Sequence, residues 1–183
     1  MAAIQLPSFF VGVICMNTTV AYIALGSNVG DSPSILRRTM DQLEKLSVSP
    51  LVRSSLWQTT PVDCPPGSPT FVNAVVGLTV QPGETPSTLL SKLLAIEKDF
   101  GRRPKKVLNE PRRLDLDLIA FGIETSANPE LILPHPRAHE RRFVLQPLNE
   151  IAPGFYLPGH RRNVAQLLAA LVSKEITVRL SSP

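Results

Sequence analysis

The sequence predicts an α+β fold: a ferredoxin-like βαββαβ sandwich, one antiparallel sheet with helices on one face, followed by a C-terminal extension. Three observations predict it. Strand-like apolar runs bracket a unit of about one hundred residues, at Val20 to Leu25 and at Leu114 to Phe121. Between them Phe71 to Val80 alternates in side-chain character with a period of two, the mark of a sheet strand. Two segments of helical period, each opening on a proline, fall between the strands.

The elements follow in order. After Leu25, the residues Gly26, Ser27, Asn28, Gly30 and Asp31 break the first strand. Ser32 is the expected cap of the first helix and Pro33 suits its first position; Ile35, Leu36, Met40, Leu43 and Leu46 form the apolar stripe. Leu51 to Thr59 reads as extended, and a proline-rich loop runs from Pro61 to Pro69. In the next strand Val72, Ala74, Val76, Leu78 and Val80 share one face, while Phe71, Asn73 and Val75 point to the other. Thr85 caps a second helix with Pro86 next, its stripe is Leu89, Leu90, Leu93, Leu94 and Phe100, and Gly101 ends it. Past the last core strand, helices are expected near His139 to Leu148 and Val164 to Val172. A strand-like run at Ile176 to Leu180 can extend the sheet edge.

The bulk composition agrees with one folded domain. Of 183 residues, 43% are hydrophobic and 19% charged, which supports a core and excludes a disordered chain. Residues 16–183 are expected to form a single domain and residues 1–15 a poorly ordered tail; Met16, just before the first strand, is a candidate alternative start. That tail carries no Lys or Arg, unlike a secretory signal, and Gln5, Pro7, Ser8 and Asn17 interrupt its apolar residues, unlike a membrane span. Cys15 and Cys64 form neither a metal spacing nor a disulfide framework, so a reduced, cytoplasmic protein is expected. A net charge of +4 favours an anionic ligand, and nucleotide phosphates and nucleic acid fit it equally.

The chemistry concentrates downstream. In Leu114-Asp115-Leu116-Asp117-Leu118 the two acids face one side of a strand and the leucines the other. Two readings fit: carboxylates that share a dication, or solvated acids on an edge strand. Arg102, Arg103, Lys105, Lys106, Arg112 and Arg113 lie just upstream, and such a loop suits phosphate held by guanidinium groups. Alone, a basic run is also an ordinary solvated loop. His135 and His139, four apart, could bind zinc on a helix, but Pro136 intervenes; His135 and Arg141 suit phosphate better. The turn Gly26 to Asp31 lacks the P-loop and dinucleotide glycine patterns, and a turn made for geometry alone explains it. Asn73 and Phe71 share a strand face and could grip a flat heterocycle, or Asn73 could be an exposed polar position.

Four stretches resemble the 6-hydroxymethyl-7,8-dihydropterin pyrophosphokinase family: AYIALGSNVGDS at 21–32, SSLWQTTPV with FVNAVV at 54–76, PRRLDLDLIAFG at 111–122 and LPHPRAHERRFVLQPLNEIAP at 133–153. The resemblance implies a ferredoxin-like fold and transfer of diphosphate from ATP to the hydroxymethyl group of a reduced pterin, in folate synthesis. It implies two Mg2+ ions on Asp115 and Asp117, with Arg102 and Arg112 as catalytic arginines. It implies ATP contacts at Glu97, Arg112, Leu118, His135 and Arg141. The pterin is expected between Phe71 and Phe143, read by Asn73, with backbone groups at Thr59 and Val62 completing its edge. Pro104 and Asn109 depart from the family pattern in the catalytic loop, and Phe71 stands where a tyrosine is common. The expected partners are ATP and the pterin, with no nucleic acid and no membrane, and a monomer is expected. An RNA-recognition module shares the element order, but it needs several aromatics on its sheet. Aromatic residues are 5% of this chain, and a sheet-face acid pair would repel RNA.

Overall fold

The computed structural model describes residues 18–61, 64, 67–102 and 111–181. The expected tail 1–15, Val62 and most of the basic loop, with Pro104 and Asn109, lie outside the described residues.

The chain runs β1 (Val20–Ser27), α1 (Ser32–Glu44), β2 (Val52–Arg53), β3 (Trp57–Thr59), β4 (Phe71–Thr79), α2 (Pro86–Asp99) and β5 (Asp115–Phe121). A hairpin, β6 (Ser126–Asn128) and β7 (Leu131–Leu133), precedes α3 (Arg142–Ile151), α4 (Val164–Ala170) and β8 (Thr177–Arg179). The main sheet has the order β5-β1-β4-β3-β8, with β2 also on β4, and every pairing is antiparallel. Its four core strands have the order of the ferredoxin-like sandwich, as expected. β8 adds to the β3 edge, as the run at Ile176 to Leu180 suggested. The extended stretch from Leu51 to Thr59 is split into β2 and β3. The hairpin β6–β7 forms a separate two-stranded sheet that the strand reading did not foresee.

The two faces of the sheet are filled differently. Alternation sends Ile23, Leu25, Val72, Ala74, Val76, Leu116 and Leu118 to one face, where they pack against Ile35, Leu36 and Leu43 of α1 and Leu89 and Leu93 of α2. That is the expected helical layer. The opposite face carries Ala24, Val75, Ile119 and Ala120, and these pack against Val144, Leu145 and Leu148 of α3 and Val164 of α4. The C-terminal extension therefore adds a second cover. Truncating one of the fully buried leucines in either layer costs about 2–5 kcal/mol.

Local chemistry sets the helix ends. Asp31, one residue before the expected cap, accepts the first α1 bond from Ser34 N at 3.2 Å. Ser32 instead accepts a bond from Ser27 Oγ at 2.8 Å, which ties the helix start to the end of β1. Thr85 caps α2 reciprocally with Thr88, as expected, and Gly101 takes a positive φ just past its end. Leu94, assigned to the α2 stripe from the sequence, lies on the solvent side.

Gly26 on β1 is the cross-strand partner of Asn73 on β4 and of Asp115 on β5. The three lie on one row of the sheet.

Candidate active site

That row opens into a cleft of about 270 Å³. Its walls bring together Phe71, Asn73, Thr59, Arg102, Arg112, Asp115, Asp117, His135, Arg141 and Phe143, from segments that span most of the chain. Gly26, Thr60, Cys64 and Arg137 complete the lining.

The acid side is built on β5. Asp115 meets two guanidinium groups: Arg102 Nη1 at 3.1 Å from Oδ1 and Arg112 Nη1 at 3.0 Å from Oδ2. Asp117 faces Arg141 Nη1 at 3.9 Å. Burial pushes the Asp117 carboxyl above the usual carboxylate range, and the Asp115 charge adds to the shift; His135, Arg141 and Arg112 oppose it. Burial holds the His135 imidazole below its ordinary value, against the pull of Asp117. The His135 Nδ1 accepts a bond from Arg137 N at 3.2 Å, and its backbone N–H donates to Ile119 O at 2.9 Å, which fixes the residue beside β5.

The arginines are held from behind. Glu97, fully buried on α2, pairs with Arg102 and accepts a bond from Leu116 N at 2.7 Å. Burial raises its pKa while the Leu116 amide and Arg102 lower it. Arg112 is held through its backbone by Asn28: Arg112 N donates to Asn28 Oδ1 at 2.8 Å and Asn28 N donates to Arg112 O at 3.1 Å.

The aromatic side is built on β4 and the start of α3. Asn73 is 5% exposed and donates from Nδ2 to Thr59 Oγ1 at 2.7 Å, which orients its amide. Gly26 leaves room for that amide: a Cβ there would lie 3.0 Å from Asn73 Oδ1. Phe71 lies two residues along β4 on the same face. Phe143 sits in the first turn of α3, and the Arg141 guanidinium stands over its ring at 5.4 Å from the centroid. Phenyl rings can stack a flat heterocycle, and an oriented amide can bond its polar edge.

The acid pair suits a hard cation. Two carboxylates on one strand face, one with a pKa raised by burial and by its neighbour, carry a cost that a dication would offset. Among the described residues, no three His, Cys, Asp or Glu side chains gather to hold a metal by themselves. An ion here needs further oxygen ligands, and phosphate supplies them.

Two expected contacts fall elsewhere. The Leu118 side chain is buried in the α1–α2 layer, on the far face from the acids, because it alternates with Asp117. Glu97 lies beneath the cleft, where it touches Arg102 and the β5 backbone. His135 and His139 also part company: His135 lines the cleft, while His139 rests against the His160 ring with centroids 4.7 Å apart. The sequence reading missed Asn28 as a functional residue, since its turn was explained by geometry alone. Thr60 and Arg137 carried no signal beyond proximity to marked residues.

The cleft joins an arginine-lined acid pair to an aromatic slot, on a ferredoxin-like sheet. Comparison with known proteins is specific. The family model described as 7,8-dihydro-6-hydroxymethylpterin-pyrophosphokinase (HPPK) matches residues 22–153. A Bacillus subtilis protein named 2-amino-4-hydroxy-6-hydroxymethyldihydropteridine pyrophosphokinase is 38% identical over 133 residues, covering 72% of this chain and 77% of its own. A Pseudomonas aeruginosa protein of the same name is 38% identical over 150 residues, covering 81% and 90%. This chain belongs to the HPPK family. It spans only 21% of the Pneumocystis carinii folic acid synthesis protein fol1, to which it is 34% identical over 88% of its own length. Among solved structures it resembles an HPPK-DHPS complexed with substrates, with a TM-score of 0.63 at 12% identity over 84% of this chain and 43% of the other. That likeness shows the shared fold.

Proposed function

We propose that this chain transfers the diphosphate of ATP to the hydroxymethyl group of 6-hydroxymethyl-7,8-dihydropterin, giving the pterin diphosphate and AMP. The observation that carries the reading is the register of Gly26 with both Asn73 and Asp115, which sets an aromatic slot beside a carboxylate pair in one cleft. The names of its relatives supply the reaction, and membership of their family supports it.

Phe71 and Phe143 stack the pterin and the Asn73 amide reads its edge, so the hydroxymethyl group points along the sheet toward β5. Arg102, Arg112 and Arg141 bind phosphate oxygens, each exchanging a carboxylate partner for a phosphate. His135 adds an imidazole beside the phosphates, its pKa lowered by burial against the pull of Asp117. Asp115 and Asp117 would hold Mg2+, two ions by the family pattern, and the metal would supply charge neutralisation for the triphosphate. The hydroxymethyl oxygen bonds to the β-phosphorus, the bond from that phosphorus to the α,β-bridging oxygen breaks, and AMP departs. The hydroxyl proton leaves to solvent. No side chain in the described cleft is placed as a dedicated base, and positioning with charge neutralisation carries the rate. The protein works as a cytoplasmic monomer that engages neither membrane nor nucleic acid. Among the described residues, no helix is long and apolar enough to cross a membrane.

The test is AMP release from ATP and Mg2+, with and without the pterin, followed by chromatography. AMP formed only when pterin and Mg2+ are both present is the expected result. Pyrophosphate release, or AMP without pterin, would overturn the reading.

A further inference from the structure

The row that carries Asn73 runs on past the cleft. Trp57 on β3 is the cross-strand partner of Asn73, and Arg179 on β8 is the partner of Trp57. Directly opposed residues present their side chains to one face. Asp115, Asn73, Trp57 and Arg179 therefore share the side of the sheet on which α3 packs.

At the far end of this row α3 reaches the sheet through Glu150. Its Oε2 accepts from Trp57 Nε1 at 3.1 Å and from Ser55 N at 2.8 Å, 93 and 95 residues away in sequence. Arg179 Nε lies 3.5 Å from Glu150 Oε1 and donates to Ser55 Oγ at 2.8 Å. One carboxylate thus joins α3, the approach to β3, and β8.

Its place on the helix makes these bonds informative. Glu150 stands in the last turn of α3, where the negative end of the macrodipole disfavours an acid and no basic residue in that turn offsets it. The side chain is only 23% exposed, and it satisfies a backbone N–H in the gap between β2 and β3, where Ser55 has no ladder partner. An acid kept there against the helix field points to a role in docking rather than in helix formation. Phe143 begins the same helix. Glu150 follows it by seven residues, about two turns, so both lie on one side of α3.

We propose that Glu150 is a positioning residue of the pterin slot: by binding Trp57 and Ser55 it docks α3 on β3, and so sets where the Phe143 ring stands relative to Asn73 and Thr59. The inference rests on the proposed pterin-binding role of that slot.

The test uses the full chain with Glu150→Ala and Glu150→Gln. Calorimetric titration gives the affinity for 6-hydroxymethyl-7,8-dihydropterin in the presence of a non-hydrolysable ATP analogue and Mg2+, and the affinity for the analogue alone. The indole N–H resonance of Trp57, the one tryptophan of the chain, reads the bond itself. Glu150→Ala should weaken pterin binding about tenfold while analogue affinity stays within about twofold, since only one wall of the slot is displaced. The indole resonance should move upfield as its acceptor is lost. Glu150→Gln keeps a carbonyl acceptor and should bind pterin within about threefold of wild type. A folded Ala variant with wild-type pterin affinity overturns the inference, as does a Gln variant no better than Ala or an equal loss of analogue affinity. Should the Ala variant not fold, Trp57→Phe removes the indole donor and keeps a ring; wild-type pterin affinity in that variant would overturn the inference. A wild type that binds no pterin would overturn the reading of the slot on which the inference rests, whereas an unmoved indole resonance in Glu150→Ala would overturn the docking contact alone.

Discussion

Asn28 and Arg112 hold each other through two hydrogen bonds although 84 residues separate them in sequence. One bond uses the asparagine side chain and the other its backbone, so the turn after β1 reads the chain direction at Arg112. The guanidinium that reaches Asp115 is thereby aimed from its own backbone. Asn28→Ala removes one bond and leaves the half-buried Arg112 amide without its acceptor, a cost of about 1 kcal/mol. Turnover should fall about tenfold to a hundredfold, with the far-ultraviolet dichroism unchanged. Steady-state AMP release with both substrates varied would check it.

Gly26→Ala tests the other side of the same strand. The added methyl would stand 3.0 Å from Asn73 Oδ1, and Gly26 needs no left-handed backbone, so folding should survive. The Asn73 amide must shift by a few tenths of an ångström or rotate off Thr59 Oγ1. Pterin affinity should drop about tenfold or more while ATP-analogue affinity without pterin stays near wild type. Calorimetric titration with each ligand separately distinguishes the two.

Asp117→Asn should separate stability from turnover. Burial and Asp115 raise the Asp117 pKa, so the native state holds this proton more tightly than the unfolded chain. Its contribution to stability is therefore present at low pH and lost as pH rises through the folded-state value. Replacing the acid removes that loss. At pH 7.5 the variant should melt at or above the wild-type Tm while turnover falls about a hundredfold or more. Scanning calorimetry alongside the AMP assay measures both.

Glu175 gives a second pH signature, in a defined window. Its pKa rises from an ordinary 4.5 to about 7, driven by burial and opposed by the two α3 amides and by Arg142 and Arg141. Between these values the native state binds more protons than the unfolded chain, so stability declines as pH rises from about 4.5 to about 7. Glu175→Gln should flatten the denaturant-midpoint profile across that window and leave it unchanged above. Urea unfolding at intervals of half a pH unit would resolve the difference.

The sequence carried most of the fold because its strongest signals are local. Alternation along β4 and β5 sorted Val72, Ala74 and Val76 from Asn73, and Leu116 from Asp117, and the packing agrees. Periodicity says nothing of what lies on the second face, so the cover supplied by α3 and α4 and the hairpin β6–β7 emerged only in three dimensions. The site divided in the same way. Asp115, Arg112 and Phe71 stand where a motif on one strand or loop marked them. Glu97 and Leu118 carried family weight, yet one lies under the cleft and the other in the core. The partnership of Asn28 with Arg112 joins segments far apart in sequence, and no local pattern encodes it.

Gly26 stands opposite Asn73 on one side and Asp115 on the other. Neighbouring antiparallel strands lie about 4.8 Å apart, so the two partners are held roughly 10 Å from one another. The sheet thus acts as a ruler whose unit is the strand spacing. The span between the Asn73 and Asp115 positions is set by backbone hydrogen bonds and not by any side chain. Substitutions in the cleft can weaken either grip, but none can stretch the gauge. A shift of register could, and a slip of one residue would turn Asn73 or Asp115 to the opposite face of the sheet. The spacing across this cleft is a property of strand pairing.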